Sequence, residues 1–148
     1  MSNSITVTAD DYNNICRLLD NIPNFTGELL KLEDEIDRAL IVDAHEIDND
    51  IVTMNSKVTF KFLGEEEQIQ KVLVYPNQVK DNSHISILAP IGMALIGLSV
   101  GQCIDWTLPN GNKKTIEILG CRFSARKKYR VEIIQRVISI ISHHSLPE

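Results

Sequence analysis

The spacing of apolar residues changes near residue 51, and this change constrains the fold of the chain more than any other feature. Before it, apolar residues recur every three or four positions. After it they alternate with polar residues, as in KVTFKF at 57–62. A repeat near 3.6 residues is typical of an amphipathic helix, whereas a repeat of 2 is typical of a half-buried strand. The sequence therefore predicts a helical N-terminal unit followed by a mainly β unit.

Two helices are predicted in the N-terminal unit. Thr8 can cap the first helix, over residues 8–22, with Asp11 in its first turn, and Pro23 ends it. The second helix begins near residue 26 or 27. Its apolar stripe comprises Leu29, Leu32, Ile36 and Leu40, and its exposed face carries Glu33, Asp34, Glu35 and Asp37. The turn NIPNFTG should fold the helices back into a short antiparallel hairpin, with arms of about 18 to 24 Å.

The second unit is predicted to be an antiparallel sheet with one helix. Alternation and turn residues place its strands at 57–62, 69–75, 85–88, 103–108 and 115–119. A short helix over 90–98 begins at Pro90, and the turn PNGN joins the last two strands. The fold class is therefore α+β. We expect a hairpin at 1–44, a β domain at 45–123 and an extension at 124–148.

The extension combines two sequence patterns. Residues 122–130 contain five basic side chains and no acidic one, which is typical of a solvated connector. Beyond them a helix is predicted whose apolar face comprises Val131, Ile134, Ile138 and Ile141, and whose polar face comprises Glu132, Gln135, Arg136 and Ser139. A large apolar helix face is normally buried against another surface. The chain's own β domain is one candidate, and a homo-oligomer contact through this helix is the other.

Charge is distributed unevenly along the chain. Residues 1–50 contain twelve acidic and three basic side chains, a net charge of −9, whereas residues 51–148 have a net charge of +4. Binding to nucleic acid through overall charge needs a basic face, so the charge balance argues against a protein that binds nucleic acid in this way. The asymmetry indicates an acidic projection on a body of opposite charge.

The chain has no apolar run of membrane-spanning length, and its N-terminus lacks the features of a signal peptide. We therefore expect a cytoplasmic protein with no membrane partner. The three cysteines, Cys16, Cys103 and Cys121, form no C-x-x-C pair. In that compartment we expect them to be reduced, mostly buried thiols.

The sequence contains no phosphate-binding, nucleophile-elbow or HExxH zinc motif. His84 beside Ser83 is formally a nucleophile–base pair, but a loop histidine at a strand edge is the simpler interpretation. Asp20 and Glu28 flank the hairpin turn and could hold Mg²⁺ only with ligands from a partner. As helix-end residues they need no such role. We therefore expect no catalytic residue, no metal site and no cofactor.

One long segment of the β unit resembles a known family. The segment ISILAPIGMALIGLSVGQCIDWTLPNG at 85–111 is similar to the signature of the C-terminal domain of the GreA/GreB transcript-cleavage and elongation factors. The matching positions are Ala89-Pro90, Ala94-Leu95-Ile96-Gly97, Gly101 and Pro109-Asn110-Gly111. The segments DIVTMNSKVTF, LVYP and LEDEIDRA resemble the Rnk branch of this family, the regulators of nucleoside diphosphate kinase. The resemblance covers about residues 5–123.

The resemblance implies an FKBP-like β domain that docks on core RNA polymerase near the rim of its secondary channel, with the hairpin pointing into the channel. The implied polymerase-binding residues are Pro90, Ile91, Gly92, Met93, Leu95, Gly97, Gly101 and Asp105, and the hairpin tip comprises Asp20, Asn24, Phe25 and Glu28. For Leu95 and Ile96, packing in the core is the alternative role. DNA or RNA would be contacted only through the polymerase.

The chain departs from the Gre pattern in two places. Gre hairpins carry acidic tip residues to the catalytic Mg²⁺ of the polymerase, but here the arms are short and the tip contains no paired acids. A group that acts in catalysis must lie within about 3 Å of its target or act through one water. We therefore expect competition with Gre factors and no stimulation of transcript cleavage. In addition, Gln102 stands where the family has Asp, and Asp105 is its nearest substitute.

Two other functions are consistent with the resemblance. The implied fold suggests a peptidyl-prolyl isomerase, but such a site needs a dense aromatic pocket. This unit offers only a few aromatic residues for one, namely Phe60, Phe62, Tyr75, Trp106 and Phe123. The name of the Rnk branch suggests direct binding to nucleoside diphosphate kinase or another enzyme. An effect on the level of that enzyme through transcription fits the name equally well.

Overall fold

The computed structural model describes residues 5–25, 27–107 and 110–123. This part of the chain begins with a short strand, two helices and a second short strand. Five further strands and one short helix follow. The elements are β1 (Thr6–Thr8), α1 (Ala9–Asp20), α2 (Gly27–Asp37), β2 (Leu40–Val42), β3 (Ser56–Phe62), β4 (Ile69–Val74), β5 (His84–Ser86), α3 (Pro90–Leu95), β6 (Cys103–Thr107) and β7 (Lys113–Phe123). The predicted α+β class, with two N-terminal helices followed by a sheet with one helix, is confirmed.

Helix α1 begins as its sequence predicts. The hydroxyl oxygen of Thr8 accepts a hydrogen bond from the backbone N–H of Asp11 at 3.1 Å, which satisfies one of the free donors of the first turn. Asp10 and Asp11 lie in that turn, where the helix dipole favours negative charge. Ile15 and Leu19 are its buried residues, one helical turn apart.

Helix α2 is shorter than predicted, and Leu40 does not belong to its apolar stripe. The helix ends at Asp37, and Leu40 lies in β2 with 62% of its surface exposed. The physical reason is a competing pairing. The backbone N–H of Leu40 donates to the carbonyl of Ile5 at 2.9 Å, and β2 runs parallel to β1 from this point. This two-stranded sheet joins the segments that enter and leave the helices.

The large sheet has the strand order β5-β4-β3-β7-β6. It is mixed, and the prediction of a purely antiparallel sheet is wrong. β4 and β5 pair in parallel, from Val72 opposite His84 to Val74 opposite Ser86. Residues 75–83, which include the 3-10 turn Pro76–Gln78, return the chain to the same end of the sheet and so permit this pairing. β7 is also longer than predicted, because it pairs with β3 as far as Phe123 opposite Ser56.

One hydrophobic core joins the helices to the sheet. Ile15 of α1 and Leu32 of α2 belong to the same buried cluster as Phe60, Leu95 and Ile116. All five side chains are at most 2% exposed. Packing is therefore continuous across residue 44, where the sequence predicts a boundary, and the division into domains stays a prediction.

Within the described ranges, no helix is long and apolar enough to cross a membrane. Residues 124–130 of the predicted basic connector and the predicted C-terminal helix at 131–141 lie outside the described residues. The cysteines are free thiols, but they are less buried than the sequence predicts. Cys103 is exposed on the edge strand β6, and Cys16 and Cys121 are half-buried.

Candidate functional site

Helix α3 contains most of the residues that the sequence assigns to the candidate surface. It begins at Pro90, and the N–H of Met93 donates to the carbonyl of Ala89 at 2.9 Å. Pro90 is exposed, Ile91 and Met93 are half-buried, and Leu95 is 0% exposed. One face of this short helix therefore offers side chains that a partner can contact, and the other face packs in the core. Leu95, and Ile96 directly after the helix, belong to the core.

Gly92 and Gly97 lie where the backbone passes close to its neighbours. A Cβ on Gly92 would lie 2.0 Å from the carbonyl oxygen of Ser86, so α3 can rest on β5 only with glycine there. A Cβ on Gly97 would lie 2.5 Å from Cβ of Ile5, and its φ of +78° is a left-handed conformation that favours glycine. Both residues position α3 and the hairpin base, and neither offers a side chain to a partner.

Gly101, Gln102 and Asp105 connect α3 to the outer strand. Gly101 is an exposed turn residue with φ of +92°, and its N–H donates to the carbonyl of Ile118 at 2.8 Å. The side-chain oxygen of Gln102 accepts from the N–H of Ser99 at 2.6 Å, so this side chain stabilises the turn. Asp105 is exposed on β6 and accepts from the hydroxyl of Thr115, its register partner, at 2.9 Å. Asp105 is thus the acidic group available on this surface.

A groove of about 600 Å³ runs between α2, α3 and β6. Its residues come from one face of α2, from the exposed side of α3 and from the whole of the edge strand. They are Glu28, Lys31, Leu32, Glu35, Pro90, Met93, Ala94, Cys103, Ile104, Asp105, Trp106 and Thr107. The groove brings together Pro90, Met93 and Asp105 of the predicted surface with Glu28 of the predicted hairpin tip.

The groove has an acidic rim. Glu28, Glu35 and Asp105 line it together with Lys31 as a basic side chain. Burial raises the pKa of the Glu35 carboxyl, and the nearby Asp34 carboxylate adds to the shift, whereas Arg38 and Lys31 oppose it. Glu35 is half-buried, and the prediction that it lies on the exposed face of the helix is wrong. A carboxylate whose charged form is disfavoured in this way is stabilised by any cation that enters the groove.

Aromatic packing holds the β6 wall in place. The rings of Trp106 and Phe62 stack with centroids 6.2 Å apart, and Phe62 meets Phe60 edge-to-face at 6.4 Å. The ammonium group of Lys114 lies 4.9 Å from the centre of the Phe62 ring and 2.7 Å from a carboxylate oxygen of Glu65. The edge strand is therefore fixed by an aromatic row that continues into the core.

The four residues of the predicted hairpin tip lie in different surroundings. Asp20 and Asn24 are exposed, Phe25 is half-buried against the core cluster, and Glu28 lines the groove. The groove also contains residues that the sequence analysis missed, above all Lys31 and Trp106. The spacing of Glu28, Lys31, Leu32 and Glu35 places all four on one helical face, and that spacing is the signal that could have identified this wall.

The alternative catalytic interpretations receive no support from the geometry. Nδ1 of His84 accepts a hydrogen bond from the N–H of Lys80 at 3.2 Å, and the hydroxyl of Ser83 donates to Asp81. The two side chains are therefore engaged with other groups and not with each other. Tyr75 packs against the core cluster. Burial raises the pKa of its hydroxyl, and the Asp11 carboxylate of α1 adds to the shift. Phe60, Phe62 and Trp106 form one row of rings that is part of the core packing.

Three exposed side chains of the loop after β2 form a loose acidic cluster. Ligand atoms of Asp43, His45 and Glu46 lie within 4.8 Å of one another. Exposed acidic groups of this kind are common without an ion, and the cluster contributes nothing to the groove.

Two family models match the chain, one for each part. Residues 47–123 match the C-terminal region of the GreA/GreB transcription elongation factors, and residues 3–42 match the Rnk N-terminus. Among curated proteins, the Regulator of nucleoside diphosphate kinase of Escherichia coli (strain K12) is 44% identical over 89 residues, which cover 60% of this chain and 65% of that protein. Transcription elongation factor GreA of Clostridium beijerinckii is 37% identical over 95 residues, 64% of this chain and 59% of that protein.

Both matches span less than two thirds of the curated relative, 65% of the first and 59% of the second. A solved structure gives wider coverage. The prokaryotic transcription elongation factor GreA/GreB from Nitrosomonas europaea superposes with a TM-score of 0.71 at 35% identity, over 82% of this chain and 99% of that chain. The similarity therefore includes both the helices and the sheet.

Proposed function

The chain belongs to the GreA/GreB family of transcription elongation factors, with a Rnk-type N-terminus, and on this premise we propose that it binds core RNA polymerase near the secondary channel and regulates elongation. The observation that carries the proposal is the groove between α2, α3 and β6. It combines the signature residues Pro90 and Met93 with the exposed carboxylate of Asp105. Half-buried apolar side chains beside an exposed polar rim are the usual composition of a protein-binding surface.

The short helices support regulation without transcript cleavage. Helix α1 has 12 residues and α2 has 11, which correspond to about 18 and 16 Å. Phe25 at the turn packs against the core, and Glu28 faces the groove, so the turn stays close to the body. A tip that stays close to the body cannot bring a carboxylate to within about 3 Å of a distant metal ion. The protein therefore occupies the site and competes with longer-armed factors.

A transcript-cleavage assay on backtracked polymerase complexes tests this function. Added alone, the protein should leave the cleavage rate at its background value. Added with a limiting amount of a full-length Gre factor, it should slow the stimulated cleavage in proportion to its concentration. Stimulation by the protein alone would overturn the proposal of a non-cleaving competitor, and full Gre activity at saturating protein would overturn the proposal of a shared site.

The name of the E. coli relative favours a second candidate function, which is direct binding to nucleoside diphosphate kinase. The two candidates predict different partners for the same groove. Binding to the purified kinase together with no binding to core polymerase would select the second candidate.

A further inference from the structure

The groove between α2, α3 and β6 is open on one side and can take one face of a helix or an extended segment. Its volume of about 600 Å³ exceeds that of packing defects by far and is typical of a binding site. The half-buried side chains Met93, Ile104 and Trp106 supply apolar surface, and Glu28, Glu35 and Asp105 supply negative charge. An occupant that matches the groove must therefore combine an apolar face with basic residues.

The chain itself contains a segment with both properties. The 25 residues after Phe123 begin with a stretch rich in basic side chains, including Arg126, Lys127, Lys128 and Arg130, and no acidic residue lies between Phe123 and Arg130. Val131, Ile134, Ile138 and Ile141 then recur at helical spacing. The apolar face matches the apolar surface of the groove, and Arg130 directly precedes this face with a charge opposite to that of the rim.

The point where the described chain ends makes this occupant reachable. Cys103 of the groove pairs with Glu117 of β7, and Phe123 lies six residues farther along the same strand. Six residues of strand correspond to about 20 Å. The seven residues 124–130 extend to about 23 Å, so residue 131 can return to Cys103. A helix over 131–141 is about 16 Å long, and the five residues of β6 span about 17 Å.

We propose that residues 131–141 dock in this groove of their own chain, with the apolar face against Trp106 and Met93 and with Arg130, the last residue of the basic run, at the Cys103 end. The docked segment covers Pro90, Met93 and Asp105. It therefore competes with any partner that uses the same surface. For RNA polymerase this consequence rests on the proposed function, whereas the docking does not.

Trp106 tests the docking directly, because it is the only tryptophan of the chain and it lines the groove. The full-length protein is compared with the double variant Ile134→Asp/Ile138→Asp, and the variant Gln135→Asp/Ser139→Asp is the matched control on the other face. Acrylamide quenching of Trp106 and iodoacetamide labelling of Cys103 should both rise about twofold or more in the first variant only, as the open state becomes populated. Circular dichroism confirms that all three proteins are folded. Equal quenching in all three would overturn the docking.

Dilution distinguishes the chain's own segment from that of a second copy. If the protection of Trp106 falls on dilution in parallel with the loss of a dimer in light scattering, the occupant belongs to another copy and the proposal is overturned. Core polymerase then tests the consequence separately. Relief of the competition should make Ile134→Asp/Ile138→Asp bind about threefold tighter than the unaltered protein. Unchanged affinity in a variant with a freed Trp106 would refute the masking of the polymerase surface.

Discussion

Asp11 in the first turn of α1 accepts a hydrogen bond from the backbone N–H of Met54, with 3.0 Å between its carboxylate oxygen and the nitrogen. The two residues are 43 positions apart in the chain, and Met54 is 1% exposed. The bond ties the base of the helical hairpin to the segment that enters the sheet. It explains in part why the helices lie on the body, where α2 can form one wall of the groove.

The first prediction concerns this bond. Asp11→Ala should lower the free energy of unfolding by about 1.5 to 3 kcal/mol, because the N–H of Met54 loses a charged acceptor in a buried position. Asp10→Ala is the matched control, since Asp10 occupies the same turn and is exposed. Urea unfolding of both variants measures the difference. Equal losses would mean that the contribution of Asp11 is limited to the helix dipole.

The second prediction concerns the close contact between α3 and β5. Gly92→Ala should cost about 3 kcal/mol or more, because its Cβ would overlap the carbonyl of Ser86 and the backbone has to move. Gly27→Ala is the control, with nothing within 4 Å of its Cβ. It should raise stability by about 0.4 to 1 kcal/mol. Thermal unfolding of the two variants should therefore shift in opposite directions, and a harmless Gly92→Ala would contradict the close packing of α3 on β5.

The third prediction separates two interactions of Lys114. Lys114→Ala should cost about 1 kcal/mol, because it removes both the contact with the Phe62 ring and the ion pair with Glu65. Glu65→Ala removes the ion pair alone and should cost about 0.5 kcal/mol or less, since both groups are partly exposed. Only the ion-pair part should weaken in 1 M salt. A larger loss for Glu65→Ala than for Lys114→Ala would contradict the role of the aromatic contact.

The fourth prediction concerns the rim of the groove. Asp105→Lys should weaken binding to core RNA polymerase about tenfold, because it reverses the charge of an exposed side chain on the proposed surface. Glu46→Lys makes the same change in net charge at an exposed position outside the groove. Fluorescence anisotropy of labelled protein measures both affinities. If the two variants bind equally well, Asp105 is not part of the interface.

Local patterns in the sequence predict most of the elements. Thr8 with Asp11 identifies the start of α1 within one residue, and the turn that contains Gly111 separates the last two strands, with φ of +89° at that glycine. Pairing between distant segments is not contained in such patterns. The parallel pairing of Leu40 with Thr6 and of His84 with Val72 depends on where the intervening chain returns, and the alternation of a single strand does not record it.

The candidate site also has one part that the sequence predicts and one part that depends on tertiary packing. The signature around Pro90 and Met93 identifies one wall of the groove from sequence alone. The opposite wall was missed because Glu28 and Glu35 approach β6 only when the hairpin lies on the body. The sequence predicts a projecting tip, whereas Phe25 packs against the core. A position of this kind follows from tertiary packing, which the helical spacing of α2 does not specify.

The most direct test of the account is equilibrium binding of the purified protein to core RNA polymerase, with a full-length Gre factor as competitor. A non-cleaving competitor should show saturable binding that the Gre factor displaces, and the protein alone should not raise the cleavage rate. Absence of binding at micromolar concentration, or binding that the Gre factor leaves unchanged, would contradict it.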